Sequence, residues 1–208
     1  KRFFDLIKKW QINSFGGVPL IFEMLKRLKL ENFDLTSLKY ITQAGGPLSS
    51  KLIKFFHNSL KRKKIKFITM YGSTEATSRM SYLPSKFNLI KTSSIGKGLQ
   101  KSFKIIHINT GKEIKENNKI GELVYFGKNV CLGYSLSIKD LSLGDQNKGV
   151  LKTGDIGFKD QDNFFYVNGR LDRHVKIYGQ RINMDDIEKI LFLKFSNICV
   201  KFKSQKIF

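Results

Sequence analysis

The sequence predicts an α/β chain: a parallel strand-and-helix unit, then a β-rich stretch, then the start of a small α+β unit. Three observations carry this prediction. Apolar residues recur every three or four positions in two stretches before residue 65. Each of those stretches precedes a short, partly β-branched apolar run that ends in glycine. From about residue 93 the helical period disappears, and short apolar runs separated by turn residues replace it.

In chain order, "VPLIFEMLKRLKL" (18–30) and "SSKLIKFFHNSLKRK" (49–63) each place an apolar stripe on one side of a helix. "LKYITQAGG" (38–46) and "IKFITMYGS" (65–73) read as the strands that follow, which makes a strand-helix-strand unit of the parallel kind. In such units ligands bind in the loops after the strands. "FKIIHI" (103–108), "GELVYFG" (121–127), "VLKTGDIGF" (150–158) and "NFFYVNG" (163–169) read as strands separated by the turn signals "NTGK", "ENNK" and "DQDN". After "NGRLDR" come "HVKIYG", a helix "MDDIEKILFLK" and a strand "NICVKF". The expected division is therefore 1–168, itself split into 1–92 and 93–168, followed by 169–208. No internal repeat or low-complexity linker interrupts it.

A chain of 208 residues with 41% hydrophobic and 12% aromatic residues can bury a sizeable core. The formal charge of +21 invites a nucleic-acid reading, but 31 of the 38 basic residues are lysines spread along the whole length. The one dense run, "KRKKIK" (61–66), falls at the end of a predicted helix, where cations complement the dipole and face water. The expectation is no specific nucleic acid. No apolar run reaches the roughly 18 residues a membrane helix needs, so no membrane span is expected and the cytoplasm is the default location. Cys131 and Cys199 are far apart, without the spacing of a zinc site or a disulfide set. His57, His107 and His174 are scattered and read as core or surface residues. A first residue that is not Met and a last segment that reads as an interrupted strand suggest a chain cut at both ends.

Three motifs bear chemistry. In "MYGSTEATSRMSYLP" (70–84), Gly72 admits a ligand close to the backbone, Ser73 and Thr74 offer hydroxyls and N–H groups to phosphate oxygens, and Glu75 suits Mg²⁺. A helix beginning at this point, capped by Ser or Thr, is the plain alternative. In "LKTGDIG", Asp155 occupies a Thr-Gly-Asp turn between two strands, where a carboxylate can accept both hydroxyls of a ribose; Gly-Asp turns are common in their own right. "GRLDRHVKIYGQRINMDDIE" (169–188) spaces Gly169, Arg170, Asp172, Lys176, Gly179 and Arg181 ahead of an acidic helix start, and otherwise reads as a charged connecting turn.

Taken in order, these segments resemble the adenylate-forming superfamily of acyl-CoA synthetases, luciferases and adenylation domains. "MYGSTEA" is similar to its Tyr-Gly-x-Thr-Glu motif and "ITQAGGPLSS" to the Gly-Gly loop upstream. "GELVYFGKNVCLGY", "LKTGDIG" and "GRLDRHVKIYGQRINMDDIE" resemble three further signatures in family order. "SFGGVPLIFEMLKRL", "TQAGG" and "EATSRMSYLP" resemble the bacterial AMP-ligases of surface-polysaccharide pathways more than acetyl- or long-chain-CoA synthetases, and lipid metabolism is the other setting. The resemblance implies that Tyr71 lies against adenine, with Gly45, Gly46, Gly72 and Ser73 beside the nucleotide. It implies that Thr74 binds the α-phosphate and that Glu75 helps hold Mg²⁺, the two acting as catalytic residues. Asp155 would hold the ribose hydroxyls, and Arg170 the ribose or phosphate. Asp172 would be the hinge of the small domain, and Gly179 would line the thiol's approach.

The implied reaction activates a small-molecule carboxylic acid with ATP and Mg²⁺, leaving AMP as the carrier of an acyl-adenylate. The acceptor is then CoA or the phosphopantetheine of an acyl or peptidyl carrier protein. Two family features are missing: the glycine- and hydroxyl-rich phosphate loop, and the catalytic lysine of the small domain, for which Lys203 and Lys206 lack the context. Lys152 stands where the family commonly has arginine, which keeps the charge and loses the planar fork. The chain alone is accordingly expected to be inactive. The competing readings are a non-catalytic remnant serving as a binding module and a basic nucleic-acid-binding protein.

Overall fold

The structure is a computed structural model that describes residues 2–99, 102–177 and 180–195. Pro19 at the first turn starts helix α2 (Pro19–Arg27), with Lys26 and Arg27 in its last turn. Ser49 starts α3 (Ser50–Arg62), its hydroxyl accepting from the Leu52 N–H at 3.3 Å. Three parallel strands, β1 (Ser14–Gly17), β2 (Tyr40–Gln43) and β3 (Lys66–Tyr71), align so that Gly17, Gln43 and Thr69 lie in one row at their carboxyl ends. The apolar stripes close on this sheet: Phe22, Phe56 and Phe67 are fully buried, with ring centroids 5.2 to 5.8 Å apart. Burying one such side chain contributes about 1.5–3 kcal/mol. Helix α1 (Arg2–Lys9) adds Phe4 and Ile7 to the same cluster.

The rest of the sheet is antiparallel. It comprises β4 (Ser81–Leu83), β5 (Ser94–Gly98), β6 (Phe103–Ile106), β7 (Gly121–Phe126), β8 (Val150–Lys159) and β9 (Phe165–Arg170). The nine strands run in the order β1-β2-β3-β4-β5-β9-β8-β7-β6. β4 and β5 therefore join the parallel strands to the β-rich part without a break in pairing. A second core of Met80, Phe103, Ile105, Leu123, Tyr125, Val130 and Phe165 lies in that part. Lys91 clasps the junction, its ammonium 2.8 Å from Asp160 and 2.5 Å from Asp162.

After β9 a short 3₁₀ turn, Leu171–Arg173, leads to an antiparallel hairpin of β10 (His174–Ile177) and β11 (Gln180–Asn183), then to α4 (Met184–Lys194). Arg173 pairs with Glu188 at 2.5 Å, tying the turn to α4. The strand expected at "NICVKF", Gly179, Cys199, Lys203 and Lys206 lie outside the described residues.

The structure thus has the expected α/β class, with α2 and α3 shorter than their periodic stretches and several elements, β5 among them, that the sequence did not announce. α1 spans eight residues, too few to display a stripe. β1 is "SFGG", poor in strand formers, and exists because β2 offers it a parallel partner. β4 has three residues, and β11 falls within what reads as a charged turn. The basic run 61–64 is solvent-exposed at the end of α3, as expected. Among the described residues no helix is long and apolar enough to cross a membrane.

Candidate nucleotide site

At the carboxyl end of β3 the chain turns sharply on Gly72. A Cβ built there would lie 2.2 Å from the Thr77 carbonyl oxygen and 2.4 Å from the Ser78 carbonyl carbon, so no side chain fits. The Ser73 N–H donates to the Thr77 oxygen at 3.1 Å, and the Ala76 N–H to the Ser73 oxygen at 3.3 Å. These bonds close a compact turn, so no helix starts here, and the capped-helix alternative is set aside. The Thr77 hydroxyl gives the backbone a local partner that competes with a helix, accepting from the Arg79 N–H at 3.4 Å.

The Thr-Gly-Asp segment differs from its expected form. It is a bulge inside the single ten-residue strand β8, where the residues between Lys152 and Ile156 oppose only Leu123 of β7. Gly154 takes φ +70°, a conformation that favours glycine. The bulge meets its own polar groups: the Thr153 hydroxyl donates to the Leu123 oxygen at 2.6 Å, the Asp155 N–H to the Thr153 hydroxyl at 3.1 Å, and the Gly154 N–H to Glu122 at 3.3 Å. Asp155 is thereby turned toward β3.

There it meets Tyr71, whose hydroxyl donates to Asp155 Oδ2 at 2.5 Å. Arg170 lies opposite Asp155 across the β8–β9 pairing and approaches Asp155 Oδ1 at 3.5 Å and Asp172 at 3.4 Å. Burial pushes the Asp155 carboxyl above the usual carboxylate range, against the Tyr71 hydroxyl and the Arg170 guanidinium, which pull it down. Burial, then the neighbouring Asp155 charge, pushes the Tyr71 phenol far up, so Tyr71 stays a donor. Its ring also packs 5.8 Å from that of Phe103, fixing it between the two halves of the sheet.

These groups line a cleft of about 580 Å³ together with Gly72, Ser73, Glu75, Lys152, Thr153, Tyr134, Gln146 and Asn147. Tyr134 donates to the Glu75 carboxylate, and this bond, followed by Glu75's own N–H, holds that carboxyl below its usual range. Ser73 Oγ is buried and makes no hydrogen bond of good geometry, although it is close enough to Glu75 to help keep it ionised. Among the described residues no three His, Cys, Asp or Glu side chains gather to hold a metal. A single ionised carboxylate beside a polar cleft suits Mg²⁺, which typically takes one or two carboxylates and completes its shell with phosphate oxygens and water.

The structure brings Tyr71, Gly72, Ser73, Glu75, Asp155 and Arg170 to one cleft and leaves other expected residues apart. Thr74 is exposed and outside the cleft lining. Gly45, with φ +79°, and Gly46 follow β2 on the same sheet edge and pack on Val18 and Pro19, where the buried Gln43 amide donates to the Gly46 oxygen at 2.6 Å. Asp172 lies in the turn after β9 and touches the cleft through Arg170. His57 is buried on α3, and His107 caps a turn by accepting from the N–H groups of Asn109 and Thr110. The residues sequence reasoning missed are Tyr134, Gln146 and Asn147. Tyr134 stood in a segment the resemblance had marked, but nothing local tied it to Glu75.

Comparison with known proteins decides the family. The family model of AMP-binding enzymes matches residues 1–135. The chain belongs to the AMP-binding enzyme family. It is similar to the probable 4-coumarate–CoA ligase 2 of Dictyostelium discoideum, 32% identical over 203 residues covering 96% of this chain and 36% of that protein. Its fold is similar to that of o-succinylbenzoate CoA synthetase from Bacillus subtilis bound to the acyl-adenylate intermediate, with a TM-score of 0.75 and 26% identity over 92% of this chain and 38% of that one. The same enzyme in complex with ATP and magnesium ion matches with a TM-score of 0.73, at 27% identity over 91% of this chain and 38% of that one. This member of the family therefore spans little more than a third of the length of these relatives.

Proposed function

We propose that the intact gene product is an AMP-forming acid–thiol ligase and that the cleft between β3 and β8 is its adenylate site. The observation that carries this reading is the presence in one cleft of two carboxylates in different surroundings, one mostly buried and one more open. Asp155 is buried, accepts from Tyr71 and faces Arg170, which suits recognition of a ribose diol. Glu75 lines the same cleft and has its carboxyl held below the usual range, which suits a cation among phosphate oxygens. The relatives named for CoA ligation, and the neighbour solved with ATP and magnesium ion, support the same reading.

In this proposal the substrate carboxylate attacks the α-phosphorus of ATP, the bond to pyrophosphate breaks, and an acyl-adenylate forms. A thiol, of CoA or of carrier-protein pantetheine, then attacks the acyl carbon and AMP leaves. Two anions meet in the first step, so charge must be neutralised where it develops. Mg²⁺ held by Glu75 would supply positive charge to the phosphate oxygens. Lys152, exposed on the rim of the cleft, adds a cation without the bidentate geometry of arginine. Thr74 stands exposed outside the cleft lining, so its hydroxyl would meet only a phosphate oxygen that reaches beyond it. Gly45 and Gly46, after the neighbouring strand β2, would lie beside the nucleotide and the acid. Residues 1–168 act as the nucleotide-binding body and 169–208 as the small domain that turns on Asp172, with Gly179 in the thiol's path.

ATP–pyrophosphate exchange by the intact gene product against a panel of carboxylic acids tests the proposal. Exchange that requires both Mg²⁺ and one class of acid is the expected result. Binding of AMP without exchange for any acid would reduce the protein to a nucleotide-binding module, and absence of both would overturn the reading.

A further inference from the structure

The turn after β3 carries Glu75 and is held at two points by the segment after β7. The Cys131 N–H donates to the Glu75 carbonyl oxygen at 2.7 Å, and the Tyr134 hydroxyl donates to the Glu75 carboxylate. That segment is itself anchored: the Asn147 amide donates to the Cys131 oxygen and the Gln146 N–H to the Leu132 oxygen, both at 2.8 Å. The chain then enters β8 at Val150 and reaches Asp155 five residues later, where Tyr71 closes the ring. Tyr71 and Glu75 are four residues apart on one turn, and each is pinned by a hydrogen bond between a phenol and a carboxylate. At the inner end the phenol belongs to the turn, and at the outer end the carboxylate does.

We propose that Tyr134 is the positioning residue of the Glu75 carboxylate, fixing which oxygen faces the cleft and leaving the other for Mg²⁺ and its water shell. The proposal rests on the reading of Glu75 as the metal-binding carboxylate. Tyr134 is 69% exposed. A phenol so exposed gains little from packing, and among the described residues its one hydrogen bond is to this carboxylate. A donor standing behind a metal-binding carboxylate typically changes metal affinity by about 10- to 100-fold when removed, and exposure places this one at the lower end.

Two measurements on the intact gene product and its Tyr134→Phe variant test the proposal. The Glu75 carboxyl pKa is followed by carbon NMR without nucleotide. It should rise in the variant, and an unchanged value would overturn the contact. The Mg²⁺ concentration that half-saturates ATP binding should rise about tenfold in the variant. In a Glu75→Gln background, Tyr134→Phe should then add nothing, and an equal added loss there would show that Tyr134 acts by another route and overturn its role. If Glu75→Gln leaves the Mg²⁺ requirement unchanged while the NMR shift is seen, the metal assignment of Glu75 fails, and Tyr134's part in Mg²⁺ binding fails with it.

Discussion

Asp155 keeps 14% of its side chain exposed, accepts from Tyr71 and has its carboxyl raised by burial. A raised folded-state value means that this group's stabilising contribution is complete below the ordinary carboxylate range and is lost as pH rises through the folded value. At pH 7 the cost of ionising this carboxyl therefore weighs against the fold. Asp155→Asn should raise the melting temperature at pH 7 and weaken nucleotide binding, since a charge-assisted hydrogen bond contributes about 1.5–3 kcal/mol, or ten- to a hundredfold in affinity. Thermal melts beside ATP titrations, with 2′,3′-dideoxy-ATP as the control ligand, check both halves. His57 works in the opposite direction. It is 9% exposed, and burial, then Lys61, lowers its imidazole from 6.5. Its contribution is present above that value and is lost as pH falls through the folded one, because the unfolded chain takes up the proton first. The fall in melting temperature between pH 7.5 and pH 5.5 should therefore be smaller in His57→Leu than in the parent protein.

At the scale of elements, the cleft depends on two departures from regular structure, the turn at Gly72 and the bulge at Gly154. Gly72→Ala brings a methyl within 2.2 Å of backbone, so the turn must be redrawn, and Glu75 and Ser73 must move with it. Overpacking of this kind typically destabilises by about 1–3 kcal/mol, and here it should also abolish nucleotide binding. Gly111→Ala is the control, because its φ of +67° is strained but nothing lies within 4 Å of the added atom. It should lower stability by about 1–2 kcal/mol and leave AMP affinity unchanged by titration calorimetry.

Over the whole molecule, the chain passes from the nine-stranded sheet into the β10–β11 hairpin through a single short turn, Leu171–Arg173. Arg170 and Arg173 flank Asp172 and tie it to opposite sides, Arg170 to the cleft through Asp155 and Arg173 to α4 through Glu188. A pivot between two bodies would sit at such a place. Proline fixes φ near −65° and removes an N–H. Asp172→Pro in the intact gene product should therefore spare ATP–pyrophosphate exchange while reducing transfer to the thiol by tenfold or more, on the order of the 1.36 kcal/mol in barrier that defines one decade. Equal loss of both activities would indicate misfolding, and equal retention would remove the pivot. The charge of +21 belongs to this scale as well: any retention on DNA should disappear with added salt and show no sequence preference.

The sequence by itself determined what local spacing can encode. The stripes of α2 and α3 and the apolar runs of β2 and β3 were legible because a helix or strand buries residues at fixed short intervals. The family motifs were legible because glycines, hydroxyls and carboxylates sit together in single turns. What only the tertiary structure decided is which of those turns meet. Tyr71 and Asp155 are 84 residues apart and Glu75 and Tyr134 are 59 apart, and no periodicity registers a contact at such distances. The bulge in β8 depends on how many residues of β7 stand opposite it, and β1 depends on a partner strand that comes more than twenty residues later. The placement of Thr74 outside the cleft followed from the Gly72 turn closing on Thr77. A long-range pairing forms only when the ends of long loops are brought together, and the core that offsets the entropy of closing them is assembled by the whole fold.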